Sequence, residues 1–250
     1  MRHNPFSLAN KTVLVTGASS GIGRSIAVEC AKMGATVFIT GRNEERLNET
    51  YNQLEGTGHI QCTADLQMEE QTTRLIDALP LLDGVVHAAG IVTTVPFQFI
   101  TKEKLEEIFA INFISPTLIS QQLLQKKKMN KGASFVWISS ISGTVCSFIG
   151  NAMYSSTKGA VNGIVKGMAL DLAKKEIRVN SINPGQIDTD LLVAKGVITA
   201  EQMQEEIKKY PLKRFGKPEE VAYAAVYLLS NASNWITGTH LLIDGGYTLL

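Results

Sequence analysis

Short apolar runs alternate with longer amphipathic stretches along this chain. The runs at 11–16, 35–40, 59–64, 84–88, 134–139, 178–183 and 240–244 are only a few residues long, which predicts buried strands. Between them, apolar positions recur at helical spacing over 24–33, 43–54, 67–78, 102–128, 154–175 and 219–229. Strand followed by helix at this rhythm predicts an α/β fold, a doubly wound parallel sheet with helices on both faces. Such a sheet takes its ligands beyond the carboxyl ends of its strands. The stretch 189–218 breaks the rhythm. It is charged and irregular, with a helical piece near 200–209, and a segment of this length between core elements predicts a lid over a binding site. With no linker, repeat or low-complexity stretch, residues 1–250 read as one domain.

Composition narrows the functional classes. The net charge is +1, and without a basic stripe nucleic acid is not expected as a partner. The run Lys126-Lys127-Lys128 suits a solvated helix end. Residues 1–10 carry no apolar segment, so no signal peptide is expected, and no run of about 18 apolar residues suggests a membrane span. Cys30, Cys62 and Cys146 are odd in number and far apart. They suit reduced thiols in a cytoplasmic protein better than a disulfide framework or a metal site.

The candidate chemistry falls at the strand ends. After the first strand comes Gly17-Ala-Ser-Ser-Gly21-Ile-Gly23, followed by a helix. Strand, glycine turn and helix can seat a phosphate on open backbone N–H groups, although a tight turn without ligand has the same pattern. After the second strand come Gly41 and Arg42. An acidic residue there would meet a ribose 2′-hydroxyl, whereas an arginine suits a 2′-phosphate. Arg24 could add a second cation, and two solvated arginines would look the same. Asp65, Gly90, Ser140 and Pro184 end later strands. Tyr154 and Lys158 share one helix face. An ammonium beside a phenol favours the phenolate, so the pair is expected to form a general acid/base with a lowered tyrosine pKa. The same spacing also arises when a surface tyrosine lies along a lysine stem.

These motifs together resemble the short-chain dehydrogenase/reductase family in its single-domain branch, which includes bacterial 3-oxoacyl carrier-protein reductases. The likeness rests on Thr16-Gly-Ala-Ser-Ser-Gly-Ile-Gly23, Asp65, His87-Ala-Ala-Gly90, Asn112, Ser140, Tyr154-x-x-x-Lys158, Asn183-Pro-Gly185 with Ile187 and Thr189, and Pro211-x-x-Arg-Phe-Gly-x-Pro-Glu-Glu220. It implies a Rossmann-like sheet of seven strands in the order 3-2-1-4-5-6-7. It implies an NADP(H)-dependent enzyme, preferring NADP(H) over NAD(H), that interconverts a carbonyl and a secondary alcohol. Tyr154 would be the acid, Lys158 its activator and a ribose ligand, and Ser140 the donor to the substrate oxygen. Asn112 would hold a water leading to solvent, unless its amide simply bonds a neighbouring carbonyl. The cofactor would lie along Gly17, Ser19, Ser20, Gly21, Ile22, Gly23, Arg24, Arg42, Asp65, Leu66, Ala89, Gly90, Tyr154, Lys158, Pro184, Gly185, Ile187 and Thr189. The substrate would be a 3-oxoacyl thioester, free or carried on an acyl carrier protein met by Lys131 and Lys175; a hydroxysteroid, sugar or polyol is the alternative. A non-catalytic dinucleotide-binding regulator has no need of the acid/base set. The resemblance also implies a homotetramer, in which the helices at 102–128 and 154–175 pair between subunits. The family usually has Asn where this chain has His87, which is expected to replace the amide's bonds to backbone.

Overall fold

In the computed structural model, which describes residues 4–189 and 200–250, seven parallel strands form one sheet. They are β1 (Thr12–Thr16), β2 (Thr36–Gly41), β3 (Ile60–Thr63), β4 (Leu82–His87), β5 (Met129–Ile138), β6 (Arg178–Pro184) and β7 (His240–Ile243), ordered β3-β2-β1-β4-β5-β6-β7. The chain reverses direction across the sheet between β1 and β4, which opens a crevice at their carboxyl ends.

Alternation within each strand feeds two cores. Val13 and Val15 of β1, Val37 and Ile39 of β2, and Val136 of β5 face helices α1 (Gly21–Lys32) and α2 (Glu44–Tyr51) and the last helix, α8 (Pro218–Leu229). Leu14, Phe38, Phe135 and Trp137 point the other way, onto α3 (Glu69–Ala78), α5 (Ser115–Gln125) and α6 (Ala152–Leu172). Burial on both faces is why these strands read as near-continuous apolar runs. A further helix, α7, spans Ala200–Lys208. The first part of the expected lid, 190–199, lies outside the described residues.

The helix expected over 102–128 is interrupted. It runs as α4 (Lys102–Phe109), a π-helical turn over Ala110–Ile114, and then α5. Pro116 supplies the reason. It has no N–H to give the Asn112 carbonyl four residues earlier, and the ladder widens by one residue. Ser115 then bonds the Ala110 carbonyl through both its backbone N–H and its hydroxyl.

Candidate active site

Two connected compartments lie at the carboxyl edge of the sheet. The larger, about 710 Å³, is lined by Gly17, Ser19, Ser20, Gly21, Ile22, Gly23, Arg42, Asp65, Leu66, Ala89, Gly90 and Thr189. The smaller, about 300 Å³, is lined by Ser140, Tyr154, Lys158, Pro184, Gly185 and Ile187. Ile22, Ala88, Gly90, Ile91 and Thr189 belong to both. Of the residues singled out in the sequence for cofactor or catalysis, all but Arg24 and Asn112 border this cleft.

Backbone shapes the larger compartment. Gly17 has φ +67°, and a side chain there would drive into the Ala89 backbone at 2.6 Å. That contact is what brings the end of β1 against the end of β4. Helix α1 starts at Gly21, and the side chain of its N-cap residue Ser20 makes no capping bond, so the first-turn N–H groups keep their capacity for an anion. Arg42 is exposed, with no hydrogen-bond or ion-pair partner among the described residues. Arg46, one helical turn further along, also lines the wall. Sequence reading missed Arg46, although its spacing of four from Arg42 on a predicted helix was available. Arg24 turns away. Its guanidinium donates to the Ser19 carbonyl at 2.9 Å and the Thr50 hydroxyl at 3.0 Å and pairs with Glu49 at 2.8 Å, tying α1 to α2. An uncapped anion seat with two exposed arginines beyond it fits the phosphates of a dinucleotide.

Side chains shape the smaller compartment. Lys158 is 6% exposed, and its ammonium donates to the Ile138 carbonyl at 2.8 Å. Burial pushes its pKa down to about 8. The ammonium lies over the Tyr154 ring, 5.5 Å from the centroid. The expected lowering of the Tyr154 pKa is not found: burial pushes the phenol up, and a hydrogen bond from Ser140 offsets this only in part. Desolvation outweighs a cation that sits over the ring face. The phenol is therefore firmly protonated, as a proton donor must be.

The three serines divide their work. Ser139 donates to the Lys158 carbonyl at 3.2 Å, and the Ser142 hydroxyl accepts from Asn151 at 3.4 Å, which leaves Ser140 beside the phenol. Gly143 lets α6 come close, because a Cβ there would lie 2.0 Å from the Ser155 carbonyl oxygen. A polar brace, buried at Asn162, Ser181 and Asn183 and reaching the exposed Thr144, then joins the loop to the helix. Asn162 donates to the Lys158 carbonyl at 2.9 Å and to the Thr144 hydroxyl, and Thr144 donates to the Ser140 carbonyl at 3.2 Å. Ser181 and Asn183 complete the brace from β6. Sequence reading missed Thr144 and Asn162, whose bonds to each other and to Ser181 and Asn183 join residues distant in the chain.

Asn112 is saturated. Its amide donates to the Ile91 carbonyl at 2.9 Å and to Thr157 at 3.2 Å, and its oxygen accepts from the Ile91 N–H at 2.8 Å. The side chain clamps the segment after β4, the alternative weighed for it above. His87 also differs from expectation. It bonds the Ser120 hydroxyl of α5 at 2.8 Å and not backbone, between Phe135 and Trp137. Ser120 gives its own proton to the Pro116 carbonyl, so His87 Nε2 is the donor; burial pushes its pKa down to about 3 and keeps it neutral. The motif near 211–220 closes on itself, with Arg214 paired to Glu220, which also accepts the Lys217 N–H at the start of α8. Lys131 pairs with Glu176 at 2.9 Å, and both it and Lys175 sit at the amino-terminal edge of the sheet, far from this subunit's cleft.

The described residues contain no His/Cys/Asp/Glu cluster able to hold a metal and no helix long and apolar enough to cross a membrane. A family profile described as enoyl-(acyl carrier protein) reductase matches residues 17–248. Among similar proteins, the 7alpha-hydroxysteroid dehydrogenase of Escherichia coli (strain K12) is 33% identical over 245 residues, covering 96% of this chain and 94% of that one. A 3-oxoacyl carrier-protein reductase of Rickettsia prowazekii (strain Madrid E) is 32% identical over 243 residues, covering 97% and 99%. Among solved structures, a short-chain dehydrogenase/reductase of Serratia marcescens superposes with a TM-score of 0.88 at 28% identity, covering 98% and 100%.

Proposed function

Because the chain belongs to the short-chain dehydrogenase/reductase family, and is on that ground an oxidoreductase with a nicotinamide dinucleotide cofactor, we propose that it is an NADP(H)-preferring reductase of a ketone, most like a 3-oxoacyl thioester. The observation that carries this reading is the meeting of Ser140, Tyr154 and Lys158 where the dinucleotide-sized compartment opens into the smaller one. The cofactor supplies the hydride to the carbonyl carbon. Tyr154 gives its proton to the carbonyl oxygen, and Ser140 donates a hydrogen bond to that oxygen as charge builds on it. The Lys158 ammonium stabilises the phenolate left behind and holds the nicotinamide ribose. The Asn112 amide is fully engaged, so a reprotonation path at this residue would have to use its main-chain carbonyl, to which Pro116 offers no N–H.

The Gly17–Gly23 turn would hold the cofactor phosphates, and Arg42 and Arg46 would meet a 2′-phosphate. Delivery on an acyl carrier protein needs basic groups at the cleft mouth, and Lys131 and Lys175 reach it only from a second subunit. A homotetramer suits the exposed Ile114 and Leu118 on the π-turn and α5, Leu170 on α6, and Leu249 and Leu250 at the C-terminus. Leu123, Val161 and Val165 of the same helices pack on this chain's own sheet. Three free thiols suit the cytoplasm. Steady-state kinetics with a 3-oxoacyl thioester and each cofactor tests the reading. A higher kcat/KM with NADPH is expected; an equal or better value with NADH would refute the preference.

A further inference from the structure

We propose that the smaller compartment selects an uncharged ketone carrying a bulky apolar flank, over anionic or polyhydroxylated carbonyl compounds. The inference rests on the reductase reading above and adds the chemistry of the substrate's far end.

The first observation is charge. Lys158 is the only charged side chain among the described lining residues, and its ammonium is committed to the Ile138 carbonyl. A carboxylate or phosphate on the substrate finds no cation on these walls. The second is how the polar lining residues spend their groups. The Tyr210 hydroxyl accepts the Gln186 N–H at 3.1 Å, and the Gln186 amide donates to the Ile187 carbonyl at 3.3 Å. Ser139, Ser142 and the Asn151 amide nitrogen are bonded within the protein. One buried acceptor, Asn151 Oδ1, has no partner, and an acceptor oxygen repels an anion. Ser140 is itself engaged, accepting the Ser142 N–H at 3.1 Å and donating to Tyr154, and these lining groups each keep only part of their capacity for a substrate. A substrate rich in hydroxyls would lose its water and gain few bonds in return.

The third observation is the wall itself. Phe148 packs on the Tyr247 ring at 5.9 Å, and Tyr247 on Tyr210 at 4.8 Å, so the C-terminal segment backs one side of the compartment with aromatic rings. Opposite stand Ile91 and Val92. The loops at 91–95 and 144–151 are joined at the mouth by the Val95 N–H bond to the Gly150 carbonyl at 2.8 Å. That mouth leaves apolar surface in water: Val92 is 64% exposed, Phe148 43% and Ile149 98%. An exposed apolar rim beside a pocket of mixed lining, with Val92 and Phe148 belonging to both, marks a surface that a ligand covers.

The test measures kcat/KM with NADPH for a homologous series of unbranched methyl ketones, a fused bicyclic ketone, a ketose and a 2-oxo acid of matched size. The value is expected to rise about fourfold per added methylene until the wall is filled. The ketose and the oxo acid should lie about 100-fold below the apolar ketone of their size. Comparing the chain and ring arms at equal carbon number tells which flank fits better. Phe148→Ser should cost the longest ketones about tenfold more than the shortest, mainly through KM. A flat series, or a ketose or oxo acid reduced as well as its apolar counterpart, would overturn the inference and leave the reductase reading standing. Turnover of no carbonyl with either cofactor would remove that reading and this inference with it.

Discussion

On the β1–β2 side the cleft is made of backbone and of side chains that are missing. Gly17 lets two strand ends touch, the start of α1 is uncapped by its Ser20 side chain, and the lining arginines, Arg42 and Arg46, stand in solvent. On the β5–α6 side it is made of buried side chains, with Lys158 6% exposed and Ser140 9% exposed, held by Thr144, Asn162, Ser181 and Asn183. The two sides face different demands. A dinucleotide is bound over a long contact, each part of which contributes modestly, so open backbone and mobile arginines suffice. A proton must be given at one point, so the donor and its neighbours are fixed by a mostly buried network that costs desolvation. Substitutions on the first side should have graded effects, and those on the second abrupt ones.

The largest effect should come from Tyr154→Phe. Turnover is expected to fall about 100- to 10,000-fold while NADPH affinity, read by fluorescence titration, stays within a few-fold. A variant keeping more than about a tenth of wild-type activity would remove the phenol from the chemistry.

Next is Asn162→Ala, which touches no substrate. It strips Thr144, Ser181 and the Lys158 carbonyl of a partner. A loss of about 1–3 kcal/mol in unfolding free energy is expected from the orphaned groups. A drop in kcat with little change in cofactor KM should accompany it. If stability falls and kcat does not, the brace serves the fold alone.

Arg42→Ala should lower kcat/KM with NADPH about tenfold and leave NADH use nearly unchanged, since an exposed charged contact contributes modestly. Arg46→Ala should do the same more weakly, and equal losses with both cofactors would contradict the assignment.

The smallest effect is the alkaline limb. The Lys158 pKa is pushed down to about 8 and the Tyr154 pKa is pushed up. The ammonium is fully present below about 8 and lost above it, before the phenol ionises. Reductive kcat/KM of the free enzyme should fall roughly fourfold between pH 7 and 8.5. A profile flat to pH 10 would place no titrating lysine in the mechanism.

The same contrast explains what could be read from the chain. Element order and the glycine turn were legible, because strand runs and glycine spacing are local signals. Arg42 was legible by its position after a strand. The role of Asn112 was only half legible. Its type was noticed, but Pro116, which has no N–H to offer its carbonyl, was not connected to it, and the single helix expected there is broken by a π-turn. His87 was seen as a departure, yet its partner Ser120 lies on another element and no local pattern names it. The direction of the Tyr154 shift was misjudged, since spacing reports a neighbouring charge but not the burial that outweighs it. The brace was invisible for a related reason, because its members come from three segments.

Hydride transfer itself tests the central claim most directly. Protein mixed with NADPH and an apolar ketone should consume the reduced nicotinamide band and form one alcohol per NADPH lost. Tyr154→Phe at the same cofactor occupancy should stand nearly still. NADPH that binds to the wild-type protein yet is consumed with no carbonyl, and NADP that is reduced by no alcohol, would contradict the account and leave a dinucleotide-binding protein without this chemistry.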